Sequence, residues 1–416
     1  MNELPAAGLA PSFTSRVTER VVSSRDWPAR LRAGRALELY YEAGDAHSQL
    51  CAALARRILP RLSIPLHIRL VPAPDAMLYQ EEPLQRAFAA ADARRIAPCH
   101  ALPAPLTLAA DQRAALEAQL ASATDAASFL EIERAAMETL AAGGSLPSPT
   151  AEATRAANVL LHANAARRRK LHHYLPGMWQ YRGEWFWALD RLEFLRGRLA
   201  ADGALREPGP LSELHPERFT EPKPAAGTPL EFWFSFRSPY SYLAAVELLR
   251  RRARGALPTL QVRPVLPMVM RGMAVPTAKR LYIVRDVKRC ADALCVPFGR
   301  VHDPVGPGAL RLLTVFPYQA GIDAQLRYCA IACQTAWAEG LDVCRDDVLQ
   351  TIFERSGLDW AAARAKLAQG IDTTRAEANR KALFDAGLWG VPSFRFGAFT
   401  TWGQDRIWML DALARG

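Results

Sequence analysis

A strand-like run that leads straight into a helix occurs twice in this chain, and that repetition restricts its possible folds more than any other feature. Leu37-Glu38-Leu39-Tyr40-Tyr41 returns as Leu230-Glu231-Phe232-Trp233-Phe234, and the same spacing lays Ser48, Leu50 and Ala52 on Ser241, Leu243 and Ala245. With one residue of slippage Asp92 and Arg95 fall on Asp286 and Arg289, and later Trp187-Ala188-Leu189-Asp190-Arg191 echoes Trp402-Gly403-Gln404-Asp405-Arg406. Collinear matches at three windows read as a tandem duplication. The 416 residues suit two such units. The stretch 200–227 is rich in proline and has no periodic apolar face, so it reads as a linker between a domain at 35–199 and another at 228–416.

In the second copy the strand runs into Ser238-Pro239-Tyr240-Ser241, which opens the helical pattern Tyr242 to Leu249. Serine is a good helix cap and proline a good first helical residue. The free N–H groups and the dipole at such a start favour an anion. A cysteine there would supply a reactive thiolate; a serine can only hydrogen-bond a sulfur that a ligand brings.

This segment resembles the 2-hydroxychromene-2-carboxylate isomerases and kappa-class glutathione transferases, a branch of the DsbA-like thioredoxin superfamily. Arg263-Pro264 after a second strand-like run, the spacing of Lys279, Tyr282, Asp286 and Arg289, Gly390-Val391-Pro392-Ser393 and Gly403-Gln404-Asp405-Arg406 follow in the family's order. The resemblance implies an α/β fold of two tandem thioredoxin-like (DsbA-like) domains, each with a helical insertion between its second and third strands. Alanine-rich helical patterns at 108–166 and 320–369 supply the insertions. It further implies glutathione as cofactor. Ser238 would hydrogen-bond the sulfur, Val391 ahead of a cis Pro392 would pair with the glutathione backbone, and Gln404 and Asp405 would meet the γ-glutamyl ammonium. Lys279 would take the glycyl carboxylate, and Asp286 is the family position that reaches a glutathione across a dimer interface. The family's loop asparagine is missing from 266–276, which leaves the substrate open. Tyr240, Met268, Met270, Arg271 and Met273 are expected to line the substrate site, the methionines forming an adaptable wall for a hydrophobic or aromatic molecule.

The first copy departs from this pattern. Asp45, Ala46 and His47 stand where Ser238, Pro239 and Tyr240 do, and Gly177-Met178-Trp179 is aligned with Gly390-Val391-Pro392. Asp45 is expected to cap a helix and His47 to be solvated, so the copy is read as degenerate, covering the active domain as one half of an intramolecular pseudo-dimer.

Seven cysteines without C-x-x-C suit a reducing compartment. With no secretory leader and no apolar run of about 20 residues, the expectation is a cytoplasmic protein away from membranes. The histidines show no metal-ligand spacing, and no phosphate-binding glycine motif is present. A net charge of +10 and the runs Arg167 to Lys170 and Arg250 to Arg254 raise the question of nucleic acid. Both runs sit at helix ends, where solvated cations complement the dipole, so no nucleic-acid partner is expected. The leading functional expectation is a glutathione-dependent isomerase or transferase acting on a small molecule. A thiol-disulfide oxidoreductase by fold and a non-catalytic tandem scaffold stay open beside it.

Overall fold

The computed structural model describes residues 34–414 except 77, 256, 273, 274 and 276. These residues divide into two compact units that part between Thr220 and Glu221. The start of the chain, Met1 to Pro5, where no secretory leader is expected, lies outside the described residues.

In the N-terminal unit β1 (Leu37–Tyr41) is followed by α1 (Ala46–Ile58), β2 (Leu66–Leu70), α2 (Glu82–Cys99), α3 (Ala110–Leu120), α4 (Ala126–Ala141), α5 (Ala151–Lys170), β3 (Met178–Tyr181), β4 (Glu184–Trp187) and α6 (Leu192–Ala201). The C-terminal unit runs through β5 (Leu230–Phe234), α7 (Pro239–Ala253), β6 (Leu260–Pro264), α8 (Thr277–Ala293), α9 (Pro307–Thr314), α10 (Ile322–Trp337), α11 (Asp346–Ser356), α12 (Trp360–Ala368), α13 (Thr374–Asp385), β7 (Ser393–Phe396), β8 (Phe399–Trp402) and α14 (Ile407–Ala414). Each unit has one four-stranded sheet, ordered β2-β1-β3-β4 and β6-β5-β7-β8. The first pair in each sheet is parallel and the other two are antiparallel. Helical segments separate the second and third strands in both units, over 82–170 and 277–385.

The strands β1 and β5 lie inside their sheets, and every residue of each is buried, as expected of strands covered on both faces. Burying Glu38 and Glu231 there requires cations. Glu38 accepts from Arg69 of β2, 2.7 Å at Nη2, and from Arg167 of α5 at 3.1 Å. Burial alone would raise the Glu38 pKa, but Arg167 and Arg69 outweigh it and hold the carboxyl below its ordinary range. Glu231 pairs with Arg263 of β6 and Arg395 of β7. Arg69 and Arg263 occupy the same register, opposite Tyr40 and Trp233 respectively.

Several residues of the basic runs are engaged within the protein. Arg167 binds Glu38, and Arg168 is buried rather than solvated. Arg250 and Arg251 bond Glu247, Arg251 also bonds Asp411, and Arg252 meets Asp323.

The proline-rich stretch is tied down over its first part. Ser63 N donates to Ala204 O, Arg206 N to Arg61 O and His215 N to Cys99 O, so residues 204–215 belong with the N-terminal unit. No described helix is long and apolar enough to cross a membrane.

Candidate active site at the start of the first helix of the C-terminal unit

Beyond the carboxyl end of β5 the chain turns, with Ser238 N donating to Ser235 O at 2.9 Å, and enters α7. Ser238 is extended (φ −100°, ψ 108°), and its Oγ accepts from Ser241 N at 3.2 Å, the geometry of an N-cap. The same hydroxyl donates to Val391 O at 3.2 Å. The Val391–Pro392 peptide is cis. Pro392 O in turn accepts from Gly403 N at 2.9 Å, which draws the turn after β8, with Gln404 and Asp405, to the same loop. Gln404 Nε2 donates to Asp405 Oδ2 at 2.9 Å. Ser238, Val391, Pro392, Gln404 and Asp405 are thus linked by hydrogen bonds and adjoining peptide bonds.

Two indoles adjoin this loop. Trp389 and Trp402 are stacked at 5.6 Å, and a Cβ built on Gly390 would stand 2.9 Å from Trp402 Nε1. Glycine is required there because any side chain displaces the indole. Gly390→Ala is expected to weaken ligand binding in the site by several-fold and to shift the tryptophan fluorescence, with unchanged fluorescence counting against this reading.

Tyr240 and Asp286 form a second cluster. The Tyr240 hydroxyl donates to Asp286 Oδ2 at 2.8 Å, and Arg289 Nη1 lies 3.4 Å from Asp286 Oδ1. Asp286 is 1% exposed, lying behind Tyr240. Lys279 stands two turns earlier on α8, half-buried, with its pKa lowered by burial. Met268 and Met270 are half-buried on a short 3-10 turn. Met273 and the Arg271 side chain lie outside the described residues.

The N-terminal unit repeats the framework with other side chains. Asp45 caps α1, accepting from Ser48 N and Ser48 Oγ, both at 2.7 Å. Glu42 N donates to Ser48 Oγ as Ser235 N does to Ser241 Oγ. The register corrects the alignment of the later loop. Met178 pairs with Trp187 as Ser393 pairs with Trp402, and Ala188 N donates to Gly177 O as Gly403 N does to Pro392 O. Gly177, not Trp179, therefore occupies the position of Pro392; Trp179 lies in the core of β3. Gly177 has φ 64°, which proline cannot adopt, and its built Cβ would sit 3.1 Å from Asp45 Oδ2. His47 is not solvated either. It is 4% exposed, with Nε2 at 3.4 Å from Asp92 Oδ2, the counterpart of the Tyr240–Asp286 pair.

Among the described residues no cysteine stands in the first turn of α1 or α7. Cys51, Cys329 and Cys333 are fully buried, and burial pushes their thiols well above the ordinary range. Among the described residues no group of His, Cys, Asp and Glu is arranged to hold a metal ion.

Residues 229–414 match the family model of the DSBA-like thioredoxin domain. The chain is 25% identical over 191 residues to 2-hydroxychromene-2-carboxylate isomerase of Pseudomonas putida, covering 44% of this chain and 92% of the relative. It is 23% identical over 194 residues to the enzyme of the same name from Pseudomonas sp. strain C18, covering 45% and 90%. A solved structure of a 2-hydroxychromene-2-carboxylate isomerase covers 44% of this chain and 93% of its own, with 26% identity and a TM-score of 0.37.

Proposed function

We propose that the C-terminal unit, whose residues 229–414 match the DSBA-like thioredoxin domain, acts as a glutathione-dependent isomerase or transferase on a small hydrophobic or aromatic substrate. The observation that carries this reading is the Ser238 hydroxyl, seated at the mouth of α7 and hydrogen-bonded to the carbonyl that precedes cis Pro392. The relatives' names supply the reaction class.

The donor set fits a thiol tripeptide. Ser238 and the dipole of α7 hold an anionic sulfur, Asp405 with Gln404 takes the ammonium, and Lys279 takes a carboxylate. When bound, glutathione supplies a thiolate nucleophile that adds reversibly to an unsaturated substrate. The protein's contribution is to hold the sulfur unprotonated without accepting its proton, through a hydroxyl donor and the helix dipole. Met268 and Met270 provide apolar surface for the substrate. Tyr240 presents its phenolic oxygen to the site, with its proton committed to Asp286, so Asp286 is a positioning residue. Thiol-disulfide exchange would need an attacking protein thiolate, and neither helix start has one.

The N-terminal unit we read as a diverged copy. The shared strand order, the paired Glu38–Arg69 and Glu231–Arg263, and the matching caps at Asp45 and Ser238 support a tandem duplication, and the kappa-class branch is the corresponding proposal for ancestry. A reducing compartment, as in cytoplasm, would supply the thiol. Calorimetry of the full chain with reduced glutathione at millimolar concentration tests the reading. Saturable heat that is lost in Asp405→Ala is the expected result; no heat and no thermal shift would overturn it.

A further inference from the structure

The carboxyl ends of β1 and β2 in the N-terminal unit carry charges that the function proposed above does not use. Glu42 directly follows β1 and is 1% exposed. Its Oε1 accepts from Arg86 Nη2 at 2.9 Å, while Oε2 is buried and has no hydrogen-bond partner among the described residues. Arg168, in the last turn of α5, is 4% exposed. Its Nη2 donates to Pro72 O at 3.3 Å, but Nε and Nη1 are buried without a hydrogen-bond partner among the described residues.

The two groups feel each other without bonding. The Arg168 charge draws the Glu42 pKa down and Glu42 draws that of Arg168 up, yet burial wins at both, leaving Glu42 at about 7 and Arg168 at about 10. Opposite charges removed from water, each keeping unused hydrogen-bonding capacity, are costly unless a third group joins them. Their place in the fold points the same way. Open α/β sheets hold ligands beyond the carboxyl ends of their strands, and Glu42 follows β1 there while Arg168, at the end of α5, bonds Pro72 O in the loop after β2.

We propose that the N-terminal unit has a binding site of its own, in which a small organic carboxylate is held between Arg168 and Glu42. The free N–H groups of Arg168 suit carboxylate oxygens. The free oxygen of Glu42 shares a proton with the bound anion, as two carboxyl groups do when only one proton lies between them. A dianionic phosphate fits poorly, because Glu42, Asp45 and Asp75 all bear on this space. Glu42 is faced by Asp45 from its own loop, by Tyr79 from the loop before α2, by Arg86, itself bonded to Glu82, from α2, by Arg113 beside Gly44 from α3, and by Arg168 from α5. Binding therefore takes up a proton near neutral pH and weakens as pH rises.

The test is calorimetry of the full chain with sodium acetate and sodium benzoate, against sodium chloride and inorganic phosphate at matched ionic strength. Wild type and Lys279→Ala should both bind a carboxylate, which separates this site from the carboxylate-holding residue proposed for the thiol site. Arg168→Gln should weaken binding by about tenfold or more, the expected loss for a charged hydrogen-bond donor. Repeating the wild-type titration in buffers of different ionisation enthalpy should show proton uptake, and Glu42→Gln should abolish that uptake. The proposal is overturned if neither carboxylate binds the wild type, if phosphate binds as tightly, or if a folded Arg168→Gln protein binds like wild type. Should that variant fail to fold, the wild-type titrations and their buffer dependence decide alone.

Discussion

Ser238→Ala is expected to raise the pKa of a thiol bound in the C-terminal unit by about one to two units and to slow catalysis by about ten- to a hundredfold. That size follows from the strength of a hydrogen bond to a charged group, about 1.5–3 kcal/mol, against about 1.4 kcal/mol per pKa unit. In the present geometry the hydroxyl accepts from Ser241 N and spends its proton on Val391 O, both at 3.2 Å. Rotation about the Cβ–Oγ bond transfers that proton to a sulfur while the cap is kept. Alanine removes cap and donor together. Loss of the cap costs about 1 kcal/mol, too little to unfold the unit, so the defect should appear in the thiolate titration, followed by ultraviolet absorbance, and in kcat. Ser238→Cys supplies a second readout. A thiol at this cap should attack glutathione disulfide, forming one mixed disulfide at position 238 and releasing one glutathione thiolate. A Ser238→Cys protein left unmodified by that treatment, or an unaltered thiol titration in Ser238→Ala, would place the sulfur elsewhere.

What the sequence disclosed and what it hid divide along physical lines. The strands β1 and β5 were legible because all five positions of each are apolar or aromatic except one glutamate, and the caps at Asp45 and Ser238 because helix starts favour those residue types at local spacing. Local chemistry writes itself into adjacent letters. The His47–Asp92 contact joins two helices across an intervening strand, and nothing near His47 announced that it would be buried. Arg167 and Arg168 read as a solvated helix end because their acids, Glu38 and Glu42, lie more than a hundred residues earlier. Sequence alignment misplaces the position matching Pro392 by two residues because the insertions differ in length, and only strand register fixes where β3 begins; Gly177 is identified by its bond from Ala188 N and its place against Asp45. The same limit applies to Asp286. Its motif spacing is visible, but its burial behind Tyr240 depends on how α8 packs on α7.

Trp233→Ala should lower the stability of the C-terminal unit by about 3–5 kcal/mol, the usual cost of deleting a large buried aromatic side chain. Trp233 is fully buried in β5, and its indole N–H donates to Asn379 O at 2.8 Å. The guanidinium groups of Arg263 and Arg395 lie 5.7 and 5.6 Å from the ring, and Glu231 binds both. Alanine would leave a cavity, strip the carbonyl of Asn379 of this donor, and remove the surface on which both arginines rest. Trp233→Phe keeps most of the volume and should cost less, about 1–2 kcal/mol. Since the chain has two units, a single melting temperature is a poor measure. Hydrogen exchange of the β5 peptide reports the unit directly, and its protection should fall by about two to four orders of magnitude in the alanine variant at the expected cost. A loss below about tenfold would mean that the surroundings collapse onto the gap. The strand ends four residues before Ser238, so glutathione affinity should fall together with protection, tying the packing of β5 to the placement of the hydroxyl that the proposed chemistry requires.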